Sequence, residues 1–186
     1  MKGLKAVMAM GAAAAVLAAC GPGAGGTPAA SARPRTFSVP IYDAQGAEVG
    51  NATFTQMGRD SVRLVANATR VPAGQHGIHL HAVGRCEGPG FQTAGGHLNP
   101  TNRQHGLRNP QGPHLGDMPN LTVAAGGTGR SEWTFAGSLT PGTPPVFDAD
   151  GTALVIHAAA DDQVTDPAGN SGARIACAVI AAPTAG

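Results

Sequence analysis

Six of the seven histidines, His79, His81, His97, His105, His114 and His157, stand with Asp117 in an order that suits two metal ions. Any fold for this chain has to bring them together. His79 and His81 are one residue apart within HGIHLH, so on an extended strand both rings project from one face. His97, His105, His114 and Asp117 fall in a Gly/Pro-rich stretch with no strand or helix periodicity. Imidazole is the commonest protein donor to copper and zinc, and a carboxylate suits zinc as a fourth ligand. Two four-coordinate ions need eight donors, and these seven residues suffice if one ring serves both. Such a ring must lose its second proton, and two adjacent cations lower that proton's pKa. His97, between the strand pair and the downstream cluster, is placed for that bridge. His76 lies three residues before His79 and faces the other way, which reads as a buried histidine hydrogen-bonded to backbone.

The chain of 186 residues fits one domain. Short β-like runs broken by turn residues cover 36–42, 48–57, 60–69, 76–83, 121–125, 131–137, 152–158 and 174–181. These eight runs, with no amphipathic helix among them, predict an all-β antiparallel sandwich or closed barrel. Phe54, Val62, Leu64, Trp133 and Phe135 are the core candidates. Two connections are long, 84–120 and 159–173. A loop of more than thirty residues counts against an assignment unless it is functional; here the metal donors give the first one something to fold around.

Residues 1–19 join a short cationic start to an apolar alanine-rich run ending in Leu17-Ala18-Ala19-Cys20. That run is too short for a span of about 20 residues and reads as a signal peptide. Its end resembles a bacterial lipobox, which implies cleavage before Cys20 and lipid on its thiol; an ordinary secretory signal is the alternative. Residues 20–35 then form a Gly/Pro/Ala-rich tether, and 36–186 the domain. Assigning Cys20 to lipid leaves Cys86 and Cys177, which in an oxidising compartment pair as a disulfide or remain two buried thiols. Lys2 and Lys5 are the only lysines; without the leader, ten arginines face eleven acids, which indicates no surface for nucleic acid. The Asn-x-Thr triplets at Asn51, Asn67 and Asn120 read as chance in such a chain.

HGIHLH, GGHLNP, the histidines at 105 and 114, GDMPN, ALVIHAAADD and GNSGARIACAVI together resemble the copper/zinc superoxide dismutases over most of residues 36–181. The resemblance implies an eight-stranded Greek-key β-barrel with long metal-binding and active-site loops. It implies one copper and one zinc per subunit, with copper held by His79, His81, His97 and His157. Zinc would be held by His97, His105, His114 and Asp117, with His97 bridging. Asp161 matches a carboxylate that links a copper ligand to a zinc ligand, Cys86 and Cys177 a disulfide, and Arg174 an arginine beside the copper. The implied reaction is dismutation of superoxide to O2 and H2O2. With the anchor at Cys20, the enzyme would sit outside the cytoplasm on the bacterial membrane and protect the envelope. The segment between His157 and Arg174 carries no lysine, unlike the charged guidance loop of eukaryotic members, and the oligomeric state stays open. The alternative function is an extracytoplasmic copper/zinc-binding or delivery protein without turnover. A delivery protein would be expected to lack a copper ligand, the bridge or the arginine, and all are present in this chain.

Overall fold

The computed structural model describes residues 35–140, 143 and 145–180; the leader and nearly all of the tether lie outside the described residues. The strands are β1 (Thr36–Asp43), β2 (Glu48–Gln56), β3 (Ser61–Ala68), β4 (Gly74–His76), β5 (Ile78–His81), β6 (Leu121–Val123), β7 (Gly129–Ala136), β8 (Thr152–His157) and β9 (Arg174–Ile180). One antiparallel sheet takes them in the order β4-β6-β7-β3-β2-β1-β9-β8-β5. The first and last members of that order, β4 and β5, are separated in the chain only by Gly77. The chain therefore passes directly from one edge of the sheet to the other, and the sheet is a nearly closed barrel. β3 is followed in sequence by β4 but in the sheet by β7, which is a Greek-key crossover.

Nine strands appear where eight runs are expected, because HGIHLH is broken at Gly77. A Cβ there would lie 2.7 Å from the Ser171 Cβ and 3.1 Å from the His79 Cε1. That crowding leaves room only for glycine at the point where the strand turns from one edge to the other.

Period-two alternation builds the interior. Ala52 and Phe54 of β2 and Val62, Leu64 and Ala66 of β3 point inward, while Arg63 is exposed between them. Phe135 is buried, but Trp133 is only partly so, packed against the core at the rim of a cavity shared with Pro100 and Pro113. β8 is buried along its whole length. Leu154 and Ile156 enter the barrel core, whereas Ala153 and Val155 face a second cluster with Phe91, Ala94 and Cys177. That outer cluster seats the long loop between β5 and β6.

The same loop covers the free edge of β5. Leu80 N–H donates to Gly116 O (2.9 Å), Leu98 N–H to Leu80 O (2.8 Å) and Ala82 N–H to Gly96 O (2.9 Å). A disulfide joins Cys86 near the loop's start to Cys177 on β9, with a Cα–Cα distance of 5.7 Å.

Candidate metal centre

Pairing along β5 sets the site. His79 is bridged to Asp117 and His81 to His97, so the backbone that covers the strand's edge also brings loop donors to strand donors. His157, at the end of the adjacent β8, reaches the same place. One group contains His79, His81, His97 and His157, another His97, His105, His114 and Asp117; within each, the donor atoms all lie within 4.8 Å of one another. His97 belongs to both.

Hydrogen bonds decide which nitrogen of each ring is free. A carbonyl or carboxylate can only accept, so the ring nitrogen against it carries the proton. His81 donates from Nδ1 to Gly95 O (3.0 Å), and His157 from Nδ1 to Gly172 O (3.2 Å). His79 donates instead from Nε2 to the Asp161 Oδ2 (2.8 Å). The atoms left over are His79 Nδ1, His81 Nε2 and His157 Nε2, and each is buried without a partner, as is His97 Nε2. Unpartnered buried nitrogens are costly and rare. Four of them converging in one group fit a metal that favours imidazole, such as copper.

The second group converges on one oxygen. Asp117 Oδ1 lies 3.0 Å from His97 Nδ1, 2.9 Å from His105 Nδ1 and 3.3 Å from His114 Nδ1. Its Oδ2 is held by the Gly106 N–H (2.8 Å) and the His114 N–H (2.9 Å), which fixes the carboxylate. Three imidazoles and one carboxylate fit tetrahedral zinc. Asp161 connects the groups, because its Oδ1 accepts from His105 Nε2 (3.0 Å) while its Oδ2 holds His79. Carboxylates in this position orient the rings they bind. The cluster of His79, His105 and Asp161 is accounted for by these two hydrogen bonds, without a third ion.

Burial and the neighbouring histidines push the pKa of His81 down to about 2, that of His97 to about 4 and that of His157 to about 3; burial lowers His79 as well. These rings are neutral at pH 7, as donors must be. Burial by itself would lower His105 too, but hydrogen bonds to Asp117 and Asp161 outweigh it and raise the pKa to about 9. The same bonds hold both carboxyls below the usual range against the opposing effect of burial.

Arg174 is half-buried; it donates from Nη1 to Phe91 O (2.7 Å) and from Nη2 to Gly95 O (2.6 Å), the carbonyl that also orients His81. With His81, His97 and His157 it lines a cavity of about 370 Å³. His76 stays out of both groups, its ring nitrogens against His157 O (2.8 Å) and Pro72 O (2.9 Å).

Two residues with a part in the site were not visible in the sequence. Asn120 clamps the backbone of Asp161 from both sides, donating Nδ2–H to its carbonyl and accepting its N–H at Oδ1, both at 2.9 Å. Gly169 has φ +60°, and a Cβ there would lie 1.7 Å from Asp161 Oδ1 and 2.7 Å from His105 Nε2.

A nearly closed β-barrel in which two strands and the edge loop bring together two adjoining donor groups, one all imidazole and one with a carboxylate, has the class of site that could hold two metal ions. Comparison with known proteins agrees. The family model of copper/zinc superoxide dismutase (SODC) matches residues 48–180. A Cu-Zn superoxide dismutase of Aquifex aeolicus is 38% identical over 142 residues, covering 75% of this chain and 84% of that one. The superoxide dismutase-like protein YojM of Bacillus subtilis is 43% identical over 121 residues, covering 64% of this chain and 61% of that one. The crystal structure of a double mutant of a SOD-like protein from Bacillus subtilis superposes with a TM-score of 0.70 at 38% identity, covering 77% of this chain and 96% of that one. The chain belongs to the copper/zinc superoxide dismutase family. It is a superoxide dismutase, and its cofactors are copper and zinc.

Proposed function

We propose that His79, His81, His97 and His157 hold the copper, that His97, His105, His114 and Asp117 hold the zinc, and that His97 joins the two as an imidazolate. The observation that carries this reading is the position of the His97 ring. Its Nε2 is buried and unpartnered in the first group, while its Nδ1 lies against Asp117 in the second.

When bound, copper supplies the redox chemistry, taking an electron from one superoxide and giving one to the next, so that two superoxides and two protons become O2 and H2O2. The chain's own residues do the rest. His79, His81 and His157 keep fixed tautomers and present their free nitrogens without rearrangement. His97 can hold a proton at Nε2 when that atom is not bonded to a metal, and release it toward the product. Zinc-side donors keep that ring in place through Nδ1. Arg174 presents a cation beside the open side of the first group, where it attracts and orients an anionic substrate. Export and lipidation at Cys20 would place this activity outside the cytoplasm, against superoxide that meets the envelope.

Cobalt in place of zinc tests the bridge. An imidazolate couples the two spins, so the copper(II) electron paramagnetic resonance signal should vanish in the copper–cobalt protein. A full, unperturbed copper signal would sink the bridge.

A further inference from the structure

Asp161 serves two rings with two oxygens, and something has to keep each oxygen on its own ring. Its Oδ2 holds His79, while its Oδ1 accepts from two donors, His105 Nε2 (3.0 Å) and the Gln163 N–H (2.6 Å). The second donor belongs to the carboxylate's own loop, between β8 and β9. It points back at Asp161 because Gln163 takes φ 62°, in the left-handed region that residues other than glycine rarely enter.

The side chain of Gln163 supports that conformation. Its Nε2 donates to Met118 O (3.1 Å), the carbonyl of the residue that follows Asp117. Gln163 O accepts the Arg108 N–H (3.0 Å), and Gly106 packs so closely on it that a Cβ at 106 would lie 2.3 Å from that oxygen. The N–H, the carbonyl and the side chain of one residue thus tie Asp161 to the loop that carries His105, His114 and Asp117. Gln163 Oε1 is buried without a hydrogen-bond partner among the described residues. A left-handed backbone and an unpaired buried oxygen are both unfavourable, and such costs gather where a site fixes its geometry.

We propose that Gln163 is a positioning residue. Its left-handed backbone, held by the bond to Met118 O, keeps an N–H on Asp161 Oδ1, so that one carboxylate orients His79 and His105 together. Without that N–H the carboxylate is free to turn about its Cβ–Cγ bond, and both rings lose a fixed acceptor. The inference rests on the proposed copper and zinc groups sharing Asp161.

Zinc affinity, read by competition with a chelator, and the copper(II) electron paramagnetic resonance spectrum of the zinc-loaded protein test it with Q163A, Q163G, T165A and D161N. Alanine loses the amide and keeps the strain, so the backbone should relax. Zinc affinity should then fall about 10-fold or more, and the copper spectrum should move toward that of D161N. Glycine enters the left-handed region freely, so Q163G should recover most of the affinity and the wild-type spectrum. Thr165 bonds Asp162 (2.7 Å) in the same loop and not Asp161, so T165A should change neither. Wild-type zinc affinity and spectrum in Q163A would overturn the proposal. So would a Q163G no better than Q163A, since the backbone N–H would then not be the acting group. A T165A that loses zinc as Q163A does would reduce the effect to a loosened loop and overturn it as well. Each of these failures leaves D161N impaired, whereas a D161N with wild-type affinity and spectrum would overturn the sharing of Asp161 along with the inference.

Discussion

Each histidine at the centre is prepared by what its other nitrogen touches, and that preparation can be counted in protons. His105 carries two protons in the metal-free protein at pH 7, because its pKa is raised to about 9. His97 carries one, its pKa being lowered to about 4. Zinc added first should therefore release about one proton, from His105. Copper added next meets neutral rings at His79, His81 and His157 and should release about one more, from His97, only if that ring becomes an imidazolate. Calorimetry in buffers of different ionisation enthalpy reads both numbers; no proton release at the copper step would leave His97 unbridged. Glycine at 169 is a second residue-scale device. Gly169→Ala should weaken metal binding about 10- to 100-fold by pushing Asp161 off His105. Gly46→Ala has the same left-handed strain, φ +79°, but nothing within 4 Å of its Cβ, and should lose stability without losing metal. Equal metal affinities in the two variants would show that Gly169 has no part in holding Asp161.

The loop between β5 and β6 has little regular structure of its own and borrows order from three places: the edge of β5, the Arg174 guanidinium and the Cys86–Cys177 disulfide. The cross-link spans 91 residues of sequence, and closing a loop of that size is worth about 4–5 kcal/mol in the chain-entropy model. Cys86→Ser should lower the unfolding free energy by about that much, measured by denaturant titration of the metal-free domain. It should also weaken metal binding, since the freed segment leads to His97. Undiminished copper and zinc affinity would mean that the β5 edge alone positions the loop. Much of this was legible beforehand, for physical reasons. The runs at β1 to β3 alternate with period two, and a barrel needs that alternation to fill its interior. The candidate metal donors stand out in the sequence because few side chains can bind copper or zinc. The break at Gly77 left no mark in the pattern of HGIHLH, since its cause is crowding by Ser171 and Asp161, far away in sequence. The clamp from Asn120 was equally hidden, because it grips the backbone of a residue 41 positions later. An Asn-x-Thr triplet says nothing about that.

At the scale of the whole molecule, we propose that residues 1–19 are a signal peptide and that Cys20 carries lipid. If Cys20 is lipidated, a fatty-acid analogue fed to cells should label the wild-type protein and not Cys20→Ser, and the unlabelled variant should leave the membrane fraction. An unlabelled wild type would remove the anchor from this account. The metal-free domain itself should lose stability on both sides of neutrality, for opposite reasons. Above pH 6.5 the metal-free protein keeps His81, His97 and His157 neutral at no penalty, because the unfolded chain does the same. As pH falls below that value the unfolded histidines take up protons that the folded ones refuse until about pH 2 to 4, so stability drains away on the acid side. Asp117 and Asp161, with folded pKa values below the ordinary 3.8, add to the loss at the lower end of that range. His105 has the opposite sign. Its stabilisation is complete below pH 6.5 and disappears as pH rises through about 9. The metal-free domain should therefore melt highest near neutrality, with a steep fall from pH 6.5 to 4 and a shallow one from pH 7 to 10. If zinc binds His105 as proposed, it replaces the proton there, so the alkaline fall should flatten in the zinc-loaded protein while the acid fall remains. Melting temperatures of both forms across that range check the signs separately. A metal-free domain as stable at pH 4.5 as at pH 7 would show that the buried histidines do not resist protonation.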